Sequence, residues 1–167
     1  LIDFDLKHLH KKALFHSDST PDQKIKAEDC YFFSSYFLTQ LVSSGLLSES
    51  VPKDDKNAAS WNAMLEKGFN NVKKWTKHVN IFEKKFLFIP VNASVHWSVV
   101  VVCNPGLIEM EKKCLGSKEE AIDLEDEDDA KEKDENREVP AFVCMDSLKC
   151  HPLEKICEIL RKYLEME

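Results

Sequence analysis

The sequence predicts an α+β domain, and three features carry that expectation. Two short apolar runs, KFLFIPV and HWSVVVV, are rich in β-branched and aromatic residues and lie one turn apart. A third run of the same kind, AFVCMDSL, follows Pro140. Helix-period patterns precede the first run and follow the last, so helices should pack on a mainly consecutive β-sheet. A chain of 167 residues is sized for one domain and can bury a core without disulfides or metal.

Taken in order, LIDFDLKHLHKKAL spaces Ile2, Leu6, Leu9 and Ala13 on one helical face, with His8, His10 and His16 on its polar side or exit. In DCYFFSSYFLTQLVSSG, Asp29 is a candidate N-cap, Phe33, Tyr36 and Phe37 form an aromatic stripe, and Gly45 closes the segment, which predicts a second helix. Ser60 is positioned to cap a third helix through WNAMLEKGFNNVKKWTKHV, weakened or split at Gly68. The first two strands follow, separated by NAS and ended by NPG, which both read as turns. The third strand ends in Asp146, and Leu153, Ile156, Leu160 and Tyr163 set the apolar stripe of a final helix.

Charge is unevenly distributed. Residues 119–138 hold twelve Asp/Glu against three Lys/Arg, a net −9 within a chain of net −7, which leaves about +2 elsewhere. That balance gives no basis for general phosphate binding, so no nucleic-acid partner is expected. No apolar run approaches the roughly 20 residues of a membrane span, so no membrane association is expected either. The six cysteines form no CxxC pair, which favours free thiols in a reducing compartment. Cys144, Cys150, His151 and Cys157 cluster in sequence, but their gaps fit no zinc knuckle, and buried free thiols are expected instead.

His96 opens one strand and Asp146 closes another. If the two strands are antiparallel neighbours, the start of one lies beside the end of the other and the side chains can meet. A carboxylate that holds the Nδ1 proton of an imidazole fixes its tautomer and leaves Nε2 to take a proton from a nucleophile. Spacing alone equally allows a histidine and an aspartate at turns.

Beyond spacing, VKKWTKHVNIFEKKFLFIPVNASVHWSVVVVCNPG, CMDSLK, CYFFSSYFLTQL and the opening LIDF resemble the Ulp/sentrin-type cysteine proteases that process SUMO and remove it from proteins. The family pattern is matched at Ile89, Pro90, Val91, Asn92, His96, Trp97, Asp146 and Ser147. The long insertion between the second and third strands, at about residues 104–138, is similar to the branch with loop insertions that prefers poly-SUMO chains. The resemblance implies a papain-like fold with His96 as general base and Asp146 as its orienting acid. It also implies that Trp97 covers the tunnel through which the modifier's Gly-Gly tail passes. A diglycine tail offers no side chain to recognise, so flat rings discriminate by excluding anything larger.

In the family, an oxyanion-hole Gln and an Asp-Cys-Gly nucleophile lie beyond the helix after the Asp-Ser strand, and neither occurs within these 167 residues. A tunnel aromatic should likewise precede Leu1. The chain is therefore expected to be the N-terminal part of a catalytic domain, inactive alone. Cys144 is rejected as nucleophile because it shares a strand face with Asp146 and would attack from inside the sheet. The alternative is a truncated, non-catalytic SUMO-binding protein. The resemblance implies no metal or organic cofactor, SUMO or SUMO-conjugated proteins as partners, a monomer, and a nuclear location, with cytoplasm also open. Within AIDLEDEDDA, Ile122, Asp123 and Leu124 before an acidic run resemble a SUMO-interacting motif, although a solvated acidic loop explains the same composition.

Overall fold

A computed structural model describes residues 25–43, 45–47, 55–93, 95–108 and 139–167. The helix expected near residues 1–14, with His8, His10 and His16, and the acidic stretch containing Ile122 and Leu124 lie outside them. The described chain is α+β, as expected. Its sheet has four strands in the order β1-β2-β3-β4: β1 (Cys30–Phe32), β2 (Phe86–Ala93), β3 (His96–Cys103) and β4 (Ala141–Met145). Its helices are α1 (Phe37–Leu41), α2 (Asp55–Val72) and α3 (Leu153–Met166).

Strands β2, β3 and β4 pair antiparallel, in the consecutive order that the sequence predicts. The exception is β1, which pairs parallel to β2 through Cys30–Phe86, Tyr31–Leu87 and Phe32–Phe88. The segment was expected to be helical from Asp29 onward. Asp29 instead accepts the Lys26 N–H at 2.9 Å in a short 3₁₀ turn, and Phe32 stacks on Phe88 with centroids 4.4 Å apart. Local periodicity missed this strand because its partner is 56 residues away: β-propensity at an edge reports cross-strand packing that only the tertiary fold supplies. The parallel pairing stops at Phe88, so Pro90, which has no N–H to donate, needs no partner on that side.

Side-chain alternation puts one face of the sheet into the core, while the other is only partly covered, with Pro90 and Val101 buried on it. Leu87, Ile89 and Val91 of β2 and Val100 and Val102 of β3 all point into the core, where Ile156, Ile159, Leu160, Tyr163 and Leu164 of α3 cover them. Each such side chain contributes about 1.5–3 kcal/mol relative to exposure. Tyr163 is the hub of an aromatic cluster, with Phe37, Phe69 and Phe33 at centroid distances of 5.1, 5.9 and 6.3 Å. The stripe read from the sequence is thus core, and Phe33 and Phe37 belong to it, whereas Tyr36 is exposed.

Helix α2 begins at Asp55, before the proposed Ser60 cap, and ends at Val72. It runs unbroken through Gly68 because helix-to-helix contact requires a glycine there. A Cβ at this position would stand 1.9 Å from the Leu41 carbonyl oxygen at the end of α1. Gly68→Ala is therefore expected to destabilise the protein by about 1–3 kcal/mol, despite alanine's better helix propensity, because backbone overlap forces α1 away. The urea midpoint measures it. An unchanged or higher midpoint would show that α1 is not seated against this glycine.

Candidate active site

The register Val99–Met145 sets the start of β3 beside the end of β4, and it is this antiparallel pairing that brings two distant residues together. His96 Nε2–H donates to Asp146 Oδ1 at 2.7 Å across 50 residues of sequence. The side chains are 16% and 1% exposed, respectively, so the carboxylate is shielded while the imidazole keeps an open edge. The nitrogen facing the acid is Nε2, not the Nδ1 expected from the sequence. Nδ1 is then the ring nitrogen that keeps its lone pair.

Asp146 is held by the loop that follows it. Leu148 and Lys149 N–H groups donate to Oδ1, both at 3.1 Å, and Cys150 and His151 N–H groups to Oδ2, both at 3.0 Å. Lys149 takes a positive φ of 52° to complete this wrap. Hydrogen bonds to the ionised form favour it. The His151 N–H, the strongest influence, holds the Asp146 carboxyl well below the usual carboxylate range; burial opposes this, and His96 and the Leu148 N–H reinforce it.

A second histidine, which the sequence placed only in the rejected zinc cluster, sits behind the pair. His151 is buried; its Nε2–H donates to the Ala93 carbonyl at 2.9 Å, and its Nδ1 accepts from the Ser98 hydroxyl at 2.7 Å. Those two bonds fix its tautomer. Its ring lies 5.1 Å from that of His96, so it backs the imidazole as well as gripping Asp146 through its own N–H. The sequence signal was weak: a polar residue five positions after an aspartate marks a loop, but Ser98 is 53 residues away.

Trp97 is 40% exposed and, by alternation, points away from the face that carries His96 and Ser98. A groove of about 470 Å³ at the end of β4 is lined by Cys144, Asp146, His151 and the start of α3, and not by Trp97. Cys144 is exposed in this groove, which corrects the expectation of a thiol buried inside the sheet. Cys150 is exposed too, in the turn between β4 and α3, and so is not the buried thiol expected. Five cysteines are free among the described residues.

Donor atoms of His96, Asp146 and Cys150 lie within 4.8 Å of one another, a set that chemically suits a transition metal. Asp146 already accepts five hydrogen bonds, however, and a metal would have to break the one from His96. The arrangement orients an imidazole and leaves its Nδ1 turned away from the carboxylate.

Residues 7–167 match the model of the family described as "Ulp1 protease family, C-terminal catalytic domain". The chain is 26% identical to Sentrin-specific protease 7 of Homo sapiens over 196 aligned positions, covering 100% of this chain and 17% of that protein. It is 36% identical over 108 residues to Sentrin-specific protease 6 of Mus musculus, covering 64% of this chain and 8% of that one. A solved structure described as "Crystal structure of the de-sumoylating protease" aligns with a TM-score of 0.44 at 26% identity, over 65% of this chain and 32% of that one. The chain thus spans between 8% and 17% of the length of these two curated relatives.

A depressed carboxyl pKa gives stability that is present above the unfolded value, 3.8, and is lost as pH falls through the lower folded value. Acid unfolding of the wild type should therefore lose stability steadily from about pH 5 downward. Asp146→Asn, less stable at neutral pH, should show a shallower slope over that range. Parallel slopes in thermal melts at several pH values would remove the carboxylate from this role.

Proposed function

Because this chain belongs to the Ulp1 protease family, we propose that His96 and Asp146 are the general base and orienting acid of a cysteine isopeptidase. Its substrate would be the Gly-Gly tail of SUMO or a related ubiquitin-like modifier. The observation that carries this reading is the 2.7 Å contact between His96 Nε2 and a carboxylate locked by four backbone N–H groups, with Nδ1 left to accept a proton. The names of the sentrin-specific relatives support the choice of modifier.

In this mechanism Nδ1 takes the thiol proton, and the thiolate attacks the carbonyl of the modifier's last glycine. The imidazolium, stabilised by Asp146, then protonates the departing lysine amine, and water attacks the thioester with His96 again as base. Trp97 would cover the diglycine tail, its half-exposed ring accessible to a partner. The partners are SUMO and its conjugates, the protein acts as a monomer, and it works in the nucleus.

We assign the nucleophile to an Asp-Cys-Gly segment outside these 167 residues, since none occurs within them. The sequence encoded after Glu167 tests this directly: a Gln followed by Asp-Cys-Gly is expected, and its absence would favour a non-catalytic SUMO-binding protein. The 167-residue chain alone should not be labelled by a SUMO vinyl sulfone. Labelling at Cys150, the exposed thiol nearest the His96–Asp146 pair, would overturn the assignment of the nucleophile.

The insertion carries a second, separable expectation. Ile122 and Leu124 would add a short strand to the edge of SUMO's sheet while the acidic run meets basic residues at its rim. A peptide of residues 118–138 should bind labelled SUMO weakly and lose affinity with salt. Its Ile122→Ala/Leu124→Ala variant should not bind. Equal titrations would reduce the segment to a charged loop.

A further inference from the structure

We propose that Cys144 and Cys157 form a reversible intramolecular disulfide when the protein meets a peroxide, a modification site separate from the proteolytic chemistry. The two sulfurs are 3.3 Å apart with both thiols free, and a bond of about 2.05 Å needs only a small approach.

Proximity here is set by rigid elements. Cys144 lies on β4, fixed opposite Val100 by the sheet register. Cys157 lies on α3, whose neighbouring residues Ile156, Ile159 and Leu160 are fully buried. A second contact one helical turn along confirms the alignment of the two elements. The Arg161 guanidinium carbon sits 5.7 Å from the Phe142 ring centroid, with Phe142 and Cys144 on one face of β4 and Cys157 and Arg161 at i, i+4 on α3.

The two thiols differ in a way that assigns their order of reaction. Cys144 is exposed and lines the groove at the end of β4, where a small oxidant can enter. Cys157 is half-buried against the core, and burial, aided by the hydrogen bond and charge of Cys144, pushes its thiol up to about 12. Cys157 therefore stays protonated at neutral pH, and the exposed Cys144 is the sulfur that an oxidant reaches first. Cys144 is the sulfur oxidised first and Cys157 the one that resolves it.

The electron count closes with hydrogen peroxide as oxidant. The Cys144 thiolate attacks one peroxide oxygen, the O–O bond breaks, and the hydroxide released takes up a proton, leaving a sulfenic acid. The Cys157 sulfur then attacks Cys144 Sγ; the S–S bond forms, the S–O bond breaks, and the leaving hydroxide takes the Cys157 proton to become water. Two thiols lose two electrons and two protons, and one peroxide becomes two waters. The bond would tie β4, two residues before Asp146, to α3, and would halt oxidation of Cys144 short of the irreversible sulfinic acid. A thiol reagent reverses it by exchange.

The test treats the purified protein with equimolar hydrogen peroxide, caps free thiols with N-ethylmaleimide, and maps the digest by mass spectrometry. The expected result is a peptide pair joined through Cys144 and Cys157, two fewer maleimide adducts, a mass lower by about 2 Da, and full reversal by dithiothreitol. Cys157→Ser should instead carry sulfenic or sulfinic acid on Cys144, with its circular dichroism unchanged from wild type. Cys150→Ser should still form the bond. Wild-type protein in which Cys144 is overoxidised while Cys157 is alkylated, or in which Cys144 pairs with Cys150 or with a second molecule, overturns the proposal.

Discussion

The buried carboxylate of Asp146 is the constraint around which the functional end of this protein is organised. A carboxylate shielded by its own loop is tolerable only when its lone pairs are filled, and here the backbone fills them. Four successive N–H groups, from Leu148 to His151, turn inward to the two oxygens, and His96 supplies the fifth donor. The loop's path, its positive φ at Lys149 and the take-off of α3 all follow from that demand. The same oxygens that terminate β4 therefore orient the imidazole, so the loop's structure and the ring's orientation rest on one group.

The face of the sheet that α3 covers explains the division of labour around it. The face under α3 is apolar through the middle of β2 and β3 and becomes polar only at its end, where Ser98, His96 and His151 gather. Burial and hydrogen bonding thus meet at the boundary of the core, the place where an imidazole can be fixed on one side and open on the other. Alternation sends Trp97 to the opposite side, with its half-exposed ring away from the His96–Asp146 contact. The pairing of Cys144 with Cys157 belongs to the same face but to a different chemistry, since it depends on how β4 and α3 are spaced and not on the imidazole.

By itself the sequence determined the α+β class, the consecutive run of β2, β3 and β4 and the final helix, and it let His96 approach Asp146 only on the condition that their strands are antiparallel neighbours. These are written in local patterns: β-branched runs bounded by turns, an apolar stripe at helical spacing, and polar residues at strand ends. Antiparallel pairing of consecutive strands then leaves little freedom in which ends meet. The tertiary structure alone decided the rest. Strand β1 exists because β2 offers it an edge, Gly68 sits inside an unbroken helix because Leu41 passes 1.9 Å from where its Cβ would be, and Nε2 rather than Nδ1 faces the acid. His151, Ser98 and the Cys144–Cys157 contact join elements 13 to 58 residues apart. Their meaning lies in distances and directions between elements, and no periodicity along a chain encodes those.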